Sequence, residues 1–167
     1  MEKTKLSSKQ IQEIRNIIAE ILRPSYNQLQ GRLLTTLDSA MESDRQVEGL
    51  KERVKDIQGL MWDEIYQRKE ECLGDNFISG VGKVDDLSTI KKTVTTFIYE
   101  MDDMIIDEFS GFDFRVKNLL GMVFVDSKLK CVTEEIDRIV TESSNKLRRH
   151  ITRRLRESYE EKPESKN

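Results

Sequence analysis

One apolar stripe constrains this chain more than any other feature. Leu29, Leu33, Leu37, Ala40, Val47, Leu50, Val54, Ile57, Met61 and Ile65 recur along the run from Ser25 to Cys72. Counted as about ten turns, they keep a period near 3.6 residues, that of a straight α-helix. A strict heptad would hold about 3.5 and supercoil. This stripe drifts instead, and Asp44 fills the turn between Ala40 and Val47. The run therefore reads as one long amphipathic helix, or as two end to end. Ser43-Asp44-Arg45-Gln46 has the form of a capping box, which would place a break there. Gly49 and Gly59 each cost about 1 kcal/mol relative to alanine in a helix interior. Unbroken, the helix would span roughly 70 Å. Its apolar side must be covered by neighbouring helices or by another copy of the chain.

The rest of the chain extends this pattern. Residues 1–7 read as a polar tail, and Ser7-Ser8-Lys9-Gln10 as a capping box opening a first helix. Ile11, Ile14, Ile18, Ile21 and Leu22 share one face of it, and Pro24 is expected to end it. Gly74-Asp75-Asn76 closes the long run with turn chemistry. Phe77, Ile78, Val81 and Val84 suggest that the loop from Gly74 to Asp85 packs onto the body. Its Gly80-Val81-Gly82-Lys83 is not a phosphate loop. Phe77 stands where the motif needs glycine, and Val84 where it needs Ser or Thr. Asp85 or Asp86 would cap a helix to Phe109, with Leu87, Ile90, Val94, Phe97, Ile98, Met101 and Ile105 on its core face, stopped by Ser110-Gly111. The apolar run from Phe112 to Val125 follows. It reads as a short buried helix capped by Asp113, or as an extended segment; helix is favoured because no strand partner exists elsewhere. Ser127 would cap a last helix to Tyr159, with Leu129, Val132, Ile136, Ile139, Val140, Ser143, Leu147, Ile151 and Leu155 in its stripe. Glu64 with Arg68, and Glu134 with Arg138, are spaced for i,i+4 pairs. Residues 160–167 are polar, include Pro163, and are expected to be disordered.

Composition supports an all-α reading. The 167 residues include two prolines and eight glycines, with 35% charged and 7% aromatic side chains. The expectation is one helical domain over residues 8–159, an extended bundle of about five helices, two of them long. The long helices carry more stripe than one chain of this size is expected to cover, so a homo-oligomer, most simply a dimer, is expected. The net charge of −3 implies neither nucleic acid nor membrane as a general partner. Cys72 and Cys131 have no metal-ligand spacing and read as free thiols of a reducing compartment. The start, MEKTKLSSKQ, lacks the apolar core of a signal peptide, and no run has the length of a membrane span. A cytoplasmic protein is expected.

Two charge features could carry function. Lys146, Arg148, Arg149, His150, Arg153, Arg154 and Arg156 crowd one segment of the last helix. On a helical wheel Leu147 and Ile151 stay with the core stripe. Lys146, Arg148, Arg149, Arg153 and Arg156 fan over the solvent side, and Arg154 falls within the stripe, so that the stripe either ends there or meets an acidic partner. The segment could bind phosphates or an acidic protein, or be a solvated helix end whose cations suit the helix dipole. No aromatic residue interleaves with the arginines, so stacking on bases has no support in this segment. Glu100, Asp103 and Asp107 share one helical face, and Glu134 and Asp137 repeat the spacing on the last helix. Carboxylates so spaced on facing helices can hold Mg²⁺. A solvated acidic face that meets a basic segment of another helix or subunit is the simpler reading. Glu108 lies on the apolar face and, if buried, needs a partner, for which Arg154 is the candidate.

Catalytic chemistry has little material. His150 is the single histidine, and Cys131 would lie about 28 Å from it along one helix. Trp62 and Tyr66, one turn apart, are either core or an anchor for a protein contact. The leading expectation is a non-enzymatic helical interaction or assembly module. Its contacts would be the basic residues Lys146, Arg148, Arg149, Arg153, Arg154 and Arg156, with Trp62 and Tyr66 as further protein contacts. The alternative is an accessory nucleic-acid-binding protein using the same basic helix. A second alternative is an all-α metal-dependent nucleotide hydrolase using Glu100, Asp103 and Asp107. No catalytic residue, resident metal or cofactor is assigned, and no membrane partner is expected.

Overall fold

A computed structural model describes residues 7–40, 46–76 and 87–159. These form four helices: α1 (Ser8–Ala40), α2 (Gln46–Asn76), α3 (Leu87–Gly121) and α4 (Asp126–Tyr159). The fold is all-α, with four helices of nearly equal length where about five were expected; at 31 to 35 residues each spans about 50 Å. No strand occurs among the described residues. Among the described residues no helix is long and apolar enough to cross a membrane.

The helices form a square. α1 packs on α2 and α4, and α3 packs on the same two, while neither diagonal pair is in contact. Each neighbouring pair runs antiparallel, as cross-helix bonds show. Arg15 meets Glu70 and Asp38 meets Lys51 between α1 and α2. Glu20 meets Arg154 and Arg32 meets Glu142 between α1 and α4. Asp102 meets Arg148 and Lys117 meets Asp137 between α3 and α4. This is an up-down-up-down four-helix bundle.

The Ser7 capping box forms: the Ser7 amide donates to Gln10 Oε1 at 2.8 Å, and the Gln10 amide donates to Ser7 Oγ at 3.3 Å. Pro24, expected to end the first helix, lies inside α1. A proline here removes one helical hydrogen bond and crowds the carbonyl four residues back, a cost of about 3 kcal/mol. Packing outweighs it. Ile14, Ile18, Ile21 and Leu22 before it, and Leu29, Leu33 and Leu37 after it, are all buried on one stripe. Each contributes roughly 1.5–3 kcal/mol by burial, and a stop at Pro24 would split the stripe. Gln58 of α2, fully buried, donates its Nε2 to the Tyr26 carbonyl at 2.9 Å, just beyond the proline.

Ser110-Gly111 likewise does not end a helix; α3 runs through it to Gly121. The stripe of Ile98, Met101 and Ile105 continues as Phe109, Phe112, Val116, Leu119 and Leu120, all buried. The cost of about 1 kcal/mol for an interior glycine is small beside that burial. The run from Phe112 is helical to Gly121, and Met122 to Val125 make the reversal into α4. There the Met122 and Val123 amides donate to the Leu119 and Leu120 carbonyls. α4 opens at Asp126, two residues earlier than the Ser127 cap would place it. Lys128 and Leu129 donate their amides to the Val125 carbonyl. The capping box at Ser43, the caps Asp85 and Asp86, the loop residues Phe77, Ile78, Val81 and Val84, and most of both tails lie outside the described residues.

The run from Ser25 to Cys72 is thus split between two antiparallel helices. Leu29, Leu33 and Leu37 on one, and Leu50, Val54, Met61 and Ile65 on the other, are buried within a single chain. A second copy is not needed to cover them, so the argument for a dimer loses its premise.

Candidate interface for an anionic partner on α4

The stripe Val132, Ile136, Ile139, Val140, Leu147, Ile151 and Leu155 faces the core. This turns the basic segment of α4 outward, and the structure then sorts it. On the α1 side, Arg154 Nη2 lies 3.2 Å from Glu20, and Lys146 Nζ donates to Gln28 Oε1 at 3.0 Å. On the α3 side, Arg148 Nη1 lies 3.2 Å from Asp102, and its Nη2 donates to Asn145. Arg148 is therefore not on the solvent side, and together with Arg154 it fastens helices to one another. Glu108 is held by Arg68 at 2.7 Å, not by Arg154. Arg68 also takes Asp107 at 2.8 Å, in place of Glu64. Arg138 pairs with Glu135 and Glu142, not Glu134.

Arg149 and Arg153 remain exposed, while Arg156 is half-buried. Arg149 is exposed, with no hydrogen bond or ion pair among the described residues. Arg153 stands 3.8 Å from Glu157, the loosest of the ion pairs described. Between α3 and α4 lies a cleft of about 500 Å³ lined by Asp102, Asn145, Arg148, Arg149, Thr152, Arg153 and Arg156. Four guanidiniums and one carboxylate make it cationic. Arg148 Nε, buried, has no acceptor among the described residues. Burial, and then Arg153, Arg154 and Lys146, push the His150 imidazole below its ordinary range, so at neutral pH it adds no charge.

One contributor was invisible in the basic segment itself. Tyr99 of α3 is 61% exposed and lies one turn from Asp102. Ile106, 42% exposed, lies one turn beyond Asp102 on the other side. Ile106 lines a shallow pocket with Arg148, and Tyr99 stands one turn from the Asp102 that Arg148 holds, both supplied by another helix. Only the antiparallel register of α3 and α4 reveals this.

The other nominated residues are placed differently. Trp62 is buried, edge-on to Tyr26 at 5.5 Å and to Phe109 at 6.2 Å. It is core and offers a partner nothing. Tyr66 is 40% exposed, with Lys69 Nζ 5.0 Å from its ring centroid. Glu100, Asp103 and Asp107 do not converge: Asp103 is exposed and Asp107 is held by Arg68. Among the described residues no three His, Cys, Asp or Glu side chains gather to hold a metal ion. Asp137 is bonded to Lys117 at 2.6 Å. Asp113, expected as a cap, faces α4 from mid-helix and shares that lysine at 2.9 Å. Burial pushes the Asp113 carboxyl up, while Lys117 holds Asp137 down. Cys72 is half-buried and Cys131 exposed, both free thiols. Comparison with family models, curated proteins and solved structures gives no significant match.

Proposed function

We propose that this chain is a non-enzymatic helical docking module that holds an acidic protein partner on the arginine ridge of α4. The observation that carries the reading is the cleft lined by Arg148, Arg149, Arg153 and Arg156, with Arg149 uncommitted. Guanidiniums present rigid forks that match carboxylates two bonds at a time. Arg148 is already held in place by Asp102 and Asn145. Part of the ordering cost of a bound carboxylate is thereby met in the free protein.

A second reading has its own observation. Exposed Tyr99, one turn from the Asp102 that Arg148 holds, could stack on a base, which supports accessory binding of single-stranded nucleic acid. Fluorescence anisotropy separates the two. Labelled oligoglutamate, duplex DNA and single-stranded RNA are titrated with the native chain and with Arg149→Glu/Arg153→Glu, each over a range of salt. The docking reading expects oligoglutamate to bind and the variant to lose it. Preference for RNA, with affinity falling log-linearly with salt and weakened by Tyr99→Ala, would promote the nucleic-acid reading. No binding of any probe at low salt would overturn both.

A further inference from the structure

The bundle carries a second groove, between α2 and α3, of about 500 Å³. Its apolar side comprises Ile57, Leu60, Met61 and Phe112; its polar side comprises Asp63, Glu64, Asp107 and Glu108, opposed by Arg115. Asp107 and Glu108 already share Arg68. Asp63 and Glu64 are exposed and have no hydrogen bond or ion pair among the described residues. Leu60, one turn before Glu64, is 55% exposed. Gly111 leaves the groove open, since a Cβ there would meet nothing within 4 Å. The groove is not a packing fault, because the stripes of α2 and α3 are buried beneath it. It is an acidic surface with an exposed aliphatic centre.

Its chemical complement is on the same chain. The α4 ridge offers Arg149 and Arg153, and on the facing helix Tyr99 and Ile106 are exposed one turn to either side of Asp102. We infer that the α2–α3 groove receives the arginine ridge of a second copy of this chain. The inference rests on the docking reading above and names its acidic partner. A guanidinium forks onto Asp63 and Glu64 while its aliphatic stem lies along Leu60. The groove and the ridge belong to different faces of the square, for α2 and α4 are diagonal. One copy therefore uses its ridge on one neighbour and its groove on the other. Such contact is heterologous, building open chains or rings instead of two-fold dimers. Exposed ion pairs contribute about 1 kcal/mol or less each, so association is weak and is screened by salt.

Sedimentation of the full chain tests this. At low salt the mean mass should rise steadily with protein concentration, and it should fall back to the monomer in high salt. Asp63→Arg/Glu64→Arg makes groove and ridge both cationic; Arg149→Glu/Arg153→Glu makes both acidic. Each variant alone should stay monomeric with an unchanged circular dichroism spectrum. Mixed in equal amounts, the two should associate again, because the reversed charges complement one another. A native chain that stays monomeric at every concentration overturns the inference. So does association that either variant leaves intact, or a mixture that does not associate. The docking reading is judged separately. If the native chain stays monomeric but oligoglutamate still binds it and is lost with Arg149→Glu/Arg153→Glu, only the self-association falls. If oligoglutamate does not bind either, both fall.

Discussion

Trp62 on α2 stands edge-on to Phe109 on α3, with ring centroids 6.2 Å apart and planes at 81°. Tyr26 of α1 meets the same indole at 5.5 Å. One ring thus joins three of the four helices. Because it is the only tryptophan, its fluorescence reports this junction alone. Emission should be blue-shifted and poorly quenched by iodide in the folded chain, and should move red on unfolding. Trp62→Ala should cost about 3–5 kcal/mol in denaturant unfolding. Ready quenching in the native state would place the indole at the surface and contradict the junction.

Pro24 gives a prediction of opposite sign. Replacing it with alanine restores the missing hydrogen bond and removes the ring's clash with the preceding turn, worth about 3 kcal/mol. Greater freedom of the unfolded chain takes back under about 1 kcal/mol. Pro24→Ala should therefore raise unfolding free energy by about 2 kcal/mol. Loss of stability would mean that α1 does not run straight through this position.

The arginines of α4 should divide by role. Arg148 bridges to Asp102 in a half-buried seam, so Arg148→Ala should cost about 1 kcal/mol, with part of the loss shared by Asp102→Ala. Arg149→Ala should stay within about 0.5 kcal/mol of the native chain, yet weaken oligoglutamate binding. Chemical unfolding and anisotropy on the same variants read the two effects separately.

The acid pair at the α3–α4 seam should respond to pH in opposite directions. Burial raises Asp113 in the folded chain, so its ionisation opposes folding, and the penalty grows as pH rises through that raised value. Lys117 lowers Asp137, whose contribution is present above the ordinary carboxylate range and is lost as pH falls through the lowered value. Asp113→Asn should thus gain stability at neutral pH, with the gain shrinking in acid. Asp137→Asn should lose stability at neutral pH, with the loss shrinking in acid. Unfolding midpoints across pH 3–7 check both signs.

How far the chain could be read in advance follows from what each feature depends on. The stripes Ile11 to Leu22 and Leu129 to Leu155 were plain because helical periodicity is local, and their residues are buried almost throughout. Pro24 and Ser110-Gly111 misled because they are local stop signals. The decisive term was burial on either side, which only the assembled bundle supplies. The site was legible in its charge but not in its division of labour. Arg148 meets Asp102 and Arg154 meets Glu20 across separations of 46 and 134 residues, and no spacing rule reaches that far. Tyr99 and the groove at Leu60, Asp63 and Glu64 were missed for the same reason. They matter through what the neighbouring helix places beside them.

Amide NMR of the native chain during titration with oligoglutamate locates the interface itself. Docking on the α4 ridge predicts shifts concentrated at residues 145–156 and at the facing part of α3, residues 99–106, saturating together and reversed by salt. Shifts scattered over the bundle, or centred on another face, would contradict it.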